Sequence, residues 1–213
     1  MHPNYLSNAY LVGDEEGGVA VFVDSGAPLG PLQSAAERWR VEPQLVLRTH
    51  SHHDHVEHEA ELGLPVRTNG VEVGGLHVEA VSTPGHSDDM VAFVVDGEAV
   101  FTGDTLFKGS VGGGDFEQIR HSVMDVLLGL PHELRVLPGH TDETTLAREW
   151  EENPFVRVWR RADAEGTERV RVGGDDDATL IVWSPDYDGG GKAWVRFDDG
   201  RDAIVGGSRV QRG

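Results

Sequence analysis

Residues 50–55 read His50-Ser51-His52-His53-Asp54-His55, which crowds imidazoles and a carboxylate into six consecutive positions. Three further candidates stand at turn-like places: His86 in Thr-Pro-Gly-His, Asp104 in Thr-Gly-Asp-Thr and His140 in Leu-Pro-Gly-His. With His53 set aside, the seven ligands are nitrogens and oxygens. The chain has no cysteine, so no thiolate joins them, and the set suits zinc, iron or manganese. Seven ligands are too many for one ion and fit two ions that share a ligand. Imidazoles packed beside a carboxylate desolvate and repel one another unless a cation sits between them. His50 and His52, two apart on an extended segment, face one side and can chelate one ion. Asp54 and His55 run on into a turn and helix start that re-aims them toward a second. His53 points away from its neighbours and is read as flanking. His2, His58, His77, His121 and His132 stand apart from such groupings and read as ordinary surface or satisfied core residues.

The run His50-Ser51-His52-His53-Asp54-His55 follows Leu45-Val46-Leu47-Arg48-Thr49 and matches the His-x-His-x-Asp-His motif of the metallo-β-lactamase superfamily. Thr83-Pro84-Gly85-His86, Phe101-Thr102-Gly103-Asp104-Thr105-Leu106-Phe107 and Leu137-Pro138-Gly139-His140 resemble, in order and context, the later motifs of its glyoxalase II (hydroxyacylglutathione hydrolase) branch. Asn153-Pro154-Phe155 is similar to segments in compact members of that branch, and the resemblance covers roughly residues 5 to 160. It implies one metal held by His50, His52 and His86 and a second held by Asp54, His55 and His140, with Asp104 bridging. It also implies an αββα sandwich.

The elements that must position these residues can be read from the pattern. Tyr10 to Val12 and Val19 to Val23 read as strands, the second closed by Asp24-Ser25-Gly26. Pro31 to Arg40 has helical apolar spacing. Gln44 to Arg48 is a strand that delivers the histidine run, and His55 to Leu62 should be a helix stopped by Gly63 and Pro65. Strands recur at 76–81, 90–95, 99–102 and 134–137. Asp115 to Leu128 and Glu143 to Glu151 read as helices. Alternating strands and helices with ligands on the connecting loops fit two sheets packed face to face between helices.

The C-terminal part changes character. Four short strands (170–172, 178–183, 193–197 and 203–205) are joined by Gly- and Asp-rich turns, and the span from Gly166 to Gly213 shows no helical pattern. The chain therefore divides into a metal-binding domain over residues 1–163 and a small β-rich module over 164–213, either an SH3-like barrel or an extension packed on the main domain. Glyoxalase II proper has a helical C-terminal region instead. In its relatives a basic residue after Gly-Asp-Thr-Leu-Phe helps hold an anionic thiol carrier. Here the loop is Lys108-Gly109-Ser110-Val111-Gly112-Gly113-Gly114, with Gly113 where compact relatives often have arginine. Lys108 is the nearby candidate for substrate contact.

Composition narrows the partners. A net charge of −19 repels phosphate backbones, which disfavours a nuclease and nucleic acid as a partner. Part of that acidity is local, in Asp14-Glu15-Glu16, Glu149 to Glu152 and Asp175-Asp176-Asp177, read as solvated faces or loops. No run approaches the roughly 20 apolar residues that span a bilayer, so no membrane is expected as a partner. Met1-His2-Pro3-Asn4 lacks the start of a secretory signal, which makes the cytoplasm the expected compartment.

The chemistry expected is hydrolysis of a small-molecule thioester or related acyl compound by a hydroxide bridging two divalent ions, zinc first, with iron or manganese as alternatives. Asp54 would also accept a proton beside the attacking water. Asp24, in Val-Asp-Ser-Gly after a strand, should hydrogen-bond the metal loop from behind. Two other readings stand beside this one. One is a persulfide dioxygenase with one iron at His50, His52, His86 and Asp104; the other is a metal-bearing binding protein without catalysis.

Overall fold

The computed structural model describes every residue except Pro3, in the chain's first segment, and Asp175, the first of the acidic run Asp175-Asp176-Asp177. Asp176 and Asp177 are exposed but belong to a strand rather than a loop.

Two mixed sheets face each other. The first orders Tyr10–Gly13, Val19–Val23, Glu42–Leu47 and Val66–Arg67. The second orders Thr144–Thr145, Arg135–Pro138, Ala99–Gly103, Val91–Val95, Leu76–Ser82 and Val71–Val73. Strand alternation decides which side chains meet. Val21, Val23, Leu45 and Leu47 of the first sheet pack on Leu76, Val78, Phe93, Val95 and Phe101 of the second, which makes the buried centre of the sandwich. On the outer face of the first sheet, Ala20 and Val41 lie under Ala36 of helix Gly30–Trp39. On the outer face of the second, Ala92, Val94, Val100 and Val136 lie under helices Phe116–His121, Leu146–Glu152 and Pro154–Trp159. The layers are helix, sheet, sheet, helix, the expected αββα sandwich.

Three helices differ from expectation. The helix expected over 55–62 is two turns, His53–Val56 and Glu59–Leu62. The turn after Val23 wedges between them, because Ser25 N donates to His55 O at 2.8 Å and His58 N donates to Ser25 O at 3.1 Å. The helix expected over 115–128 is α-helical only at Phe116–His121. It widens to a π-turn at Ser122–Val126 and tightens to a 3-10 turn at Leu127–Gly129. The widening brings Ser122 and Val123 inward together with Leu127 and Leu128, and the Ser122 hydroxyl donates to Pro84 O at 2.7 Å, bracing the loop that carries His86. The third helix starts at Leu146, capped by Thr145, and Glu149 is not solvated but buried. Its carboxylate accepts from Thr144 Oγ1, Gly109 N and Asn153 Nδ2 at 2.7–2.9 Å.

The C-terminal residues form a five-stranded antiparallel sheet in the order Asp202–Gly206, Lys192–Phe197, Asp176–Ser184, Glu168–Val172 and Val210–Arg212. The last strand follows a 3-10 turn and returns to pair with the first, an SH3-like order. The sheet has a small core of its own around Val170, Leu180 and Val195. Its other face joins the main domain: Ile181, Val182, Trp194 and Ile204 share one apolar cluster with Phe116, Ile119 and Trp159.

Candidate metal centre

Two pairs of parallel strands, one pair in each sheet, end at the same place. Val19–Val23 runs parallel to Glu42–Leu47, and past their C-terminal ends come Asp24 and the run from His50. Ala99–Gly103 runs parallel to Arg135–Pro138, and past their ends come Asp104 and His140. The loop after Leu76–Ser82 adds His86. All seven expected ligands therefore converge. Their nitrogen and carboxylate atoms fall into three groups with mutual distances within 4.8 Å: His50, His52 and His86; Asp54, His55 and His140; and His50, His55 and Asp104.

Hydrogen bonds behind the histidines fix where their protons go. His55 Nδ1 donates to Asp24 Oδ2 at 2.8 Å. Thr49 Oγ1 donates to that same oxygen at 2.8 Å, so it accepts the Nδ1 proton of His50 at 3.0 Å. His86 Nδ1 donates to Gly113 O at 2.8 Å. Each of these rings therefore directs its Nδ1–H to a fixed acceptor and turns its Nε2 inward. His52 Nδ1 lies 3.0 Å from His50 Nε2 and 2.9 Å from His86 Nε2. Three ring nitrogens meet in a space that a single cation satisfies. Asp24 is itself buried and at positive φ (55°), held by Thr49 N at 2.8 Å on its other oxygen.

Asp104 stands between the groups. Its Oδ2 is 3.5 Å from His86 Nε2 and 3.2 Å from His140 Nε2, and its Oδ1 is 3.4 Å from His55 Nε2. His55 Nε2 and Asp104 Oδ1 are fully buried without a hydrogen-bond partner. Unpaired buried polar atoms of this kind are costly, and the donor set fits a divalent ion. Gly139 makes the approach of Asp104 and His55 possible: a Cβ there would lie 2.1 Å from Asp104 Oδ1 and 2.8 Å from His55 Cε1.

The metal-free electrostatics are correspondingly polarised. Burial pushes His50 down to about 3, helped by the neighbouring histidines, while Asp104 alone pulls it up. Burial also lowers His86, against the pull of Asp104. For His55 burial opposes the charge, but the Asp104 and Asp24 carboxylates outweigh it and raise the ring to about 11. Asp104 is held well below the usual carboxylate range: burial opposes this, and His140 and His55 overcome it.

The ligand groups open into a cleft of about 350 Å³ lined by Asn4, Tyr5, Leu6, His52, Asp54, His86, Asp104, His140, Tyr187 and Asp188. His53 points outward and is exposed, near Glu57, as a flanking residue should be. Lys108 is not among the lining residues; its Nζ donates to Asp142 at 3.1 Å. The sequence reading missed Tyr187 and Asp188, from the turn after Asp176–Ser184, and the N-terminal residues Asn4, Tyr5 and Leu6. The only local signal was an aromatic set between acids in the glycine-rich turn Asp186-Tyr187-Asp188-Gly189-Gly190-Gly191.

No family model matches the chain. An uncharacterized protein of Mycobacterium tuberculosis is 30% identical over 206 residues, a match that covers 70% of this chain and 92% of that protein. The hydroxyacylglutathione hydrolase GloC of Haemophilus influenzae is 26% identical, covering 71% of this chain and 93% of its own. Among solved structures, TTHA1623 in a di-iron-bound form is 33% identical with a TM-score of 0.61 and covers 73% of this chain and 98% of that one. ETHE1 from Myxococcus xanthus is 29% identical with a TM-score of 0.62, covering 72% and 80%.

Proposed function

Because the chain belongs to the metallo-β-lactamase superfamily, we propose that it is a metal-dependent hydrolase of a small-molecule thioester or related acyl compound, similar to glyoxalase II. One observation carries this reading: ring nitrogens of His50, His52 and His86 and the ligand atoms of Asp54, His55 and His140 gather in two adjoining groups on one cleft, and the Asp104 carboxylate faces both. His50, His52 and His86 would hold one ion, Asp54, His55 and His140 the other, and Asp104 would be shared. Zinc suits this nitrogen and oxygen set first, and iron or manganese also fit it. When bound, such ions acidify water from a pKa of 15.7 to about 7 and polarise a carbonyl.

The chain's own residues do the rest. Asp24 and Thr49 keep His55 and His50 in the tautomer that presents Nε2. Asp54, partly exposed on the cleft wall, can take the proton of the attacking water. Water adds to the acyl carbon, the carbon–sulfur bond breaks, and the thiol leaves with one proton. No serine or cysteine nucleophile is required.

The likeness to ETHE1 supports a second reading, a persulfide dioxygenase with one iron at His50, His52, His86 and Asp104. The complete group of Asp54, His55 and His140 favours two ions and the hydrolase. The test is thiol release from a panel of thioesters, beside oxygen uptake with a persulfide, on metal-loaded and chelator-stripped protein. Metal-dependent thiol release without oxygen uptake is expected. Oxygen uptake without thiol release would establish the second reading instead.

A further inference from the structure

The C-terminal sheet reaches the cleft. Its turn after Ser184 lays the Tyr187 ring flat on His140, with centroids 3.8 Å apart and planes at 7°, and Phe107 meets both rings edge-on. The turn is built rather than draped. Asp186 accepts from Tyr187 N at 2.9 Å and pairs with Lys192 Nζ at 3.0 Å, and Gly189 N donates back to Asp186 O at 3.1 Å. Ser184 Oγ bonds Ser110 Oγ at 3.0 Å, and Gly114 bridges Ile204, so the sheet is stitched to the loop whose Gly113 carbonyl orients His86.

Charge at the mouth is one-sided. The lining residues include no lysine or arginine, and Asp188 stands exposed on the rim. Two lysines of adjoining segments are engaged elsewhere: Lys192 with Asp186, where both side chains are largely buried, and Lys108 with Asp142. Two divalent ions bound below would carry four positive charges against the two negative ones of Asp54 and Asp104, so the negative charge left at the mouth is that of Asp188, which lies outside the ligand groups.

We propose that the C-terminal sheet is the specificity element of this site: Tyr187 forms one wall for the substrate and Asp188 selects a thioester whose leaving thiol is cationic or neutral over one that is anionic. This deepens the hydrolase reading and rests on it.

The test is kcat/KM for three acetyl thioesters that differ only in the thiol: acetylthiocholine (cationic), S-acetyl-N-acetylcysteamine (neutral) and S-acetyl-3-mercaptopropionate (anionic). The cationic ester should exceed the anionic one by about tenfold or more. Asp188→Asn keeps an acceptor for Gly190 N, which Asp188 now receives at 2.8 Å, and should shrink that ratio by about threefold or more. Tyr187→Ala should raise KM for all three esters more than it lowers kcat, with metal content unchanged. An anionic ester hydrolysed as well as the cationic one, or a ratio unmoved by Asp188→Asn, overturns the proposal and leaves the hydrolase standing. Failure of metal-loaded protein to release thiol from all three overturns both.

Discussion

Asp24 accepts the Nδ1 proton of His55 at 2.8 Å from a backbone conformation with φ 55°, which few non-glycine residues adopt. The aspartate sits at the end of one strand, and its other contacts, Thr49 N and Thr49 Oγ1, sit at the end of the parallel neighbour. One carboxylate thus orients both His55 and, through Thr49, His50.

Replacing Asp24 with alanine should therefore loosen two histidines at once. Metal affinity is expected to fall about 10–100-fold, the usual cost of losing such a supporting hydrogen bond. Competition with a chromogenic chelator reads this directly. An affinity equal to wild type would mean that His55 and His50 keep their orientation without Asp24.

Asp104→Ala removes the group that faces His86, His140 and His55 together. The variant should lose turnover and at least one metal equivalent. A fully metallated and active variant would refute the shared role given to this carboxylate.

Gly139→Ala places a methyl group against Asp104 Oδ1 and His55 Cε1. Overpacking of this kind costs about 1–3 kcal/mol, so the melting temperature should drop and metal content should fall with it. Unchanged metal content and stability would show that the loop before His140 can yield.

The seven converging residues were legible because each lies in a short, local motif on a loop or turn that follows a strand. The inner strands of both sheets and the edge strand Tyr10–Gly13 were legible within one or two residues of their ends, whereas the short edge strands Val66–Arg67, Val71–Val73 and Thr144–Thr145 were not. What the sequence hid depends on distant packing. The Ser25 wedge that splits the helix at His58 comes from a turn some 30 residues earlier in the chain, and the π-turn at Ser122–Val126 carries a bond from Ser122 to the distant Pro84. Glu149 read as one of a solvated acidic run because Gly109, far away in sequence, becomes its neighbour only in the folded state. Tyr187 is the clearest case, since only the docking of a separate sheet through Trp194 and Ile204 brings it over His140.

Glu149 also gives a prediction in pH. Burial raises its carboxyl above the ordinary 4.5, against the bonds from Thr144, Asn153 and Gly109. Folding then favours the protonated form. Its contribution is most favourable below 4.5 and is lost as pH rises from 4.5 through the raised folded value. Glu149→Gln lacks this component. In chelator, so that metal is constant, the stability advantage of wild type over Glu149→Gln should shrink between pH 4 and pH 7 in urea unfolding. A difference independent of pH would contradict the raised value.

The proposed hydrolysis requires a two-ion centre. Metal content per chain, by mass spectrometry on protein purified without added metal or chelator, tests it most directly. About two equivalents of zinc, or of mixed zinc, iron and manganese, is the predicted result, following from two ligand groups with Asp104 facing both. Close to one equivalent of iron, with the group of Asp54, His55 and His140 empty, would contradict it.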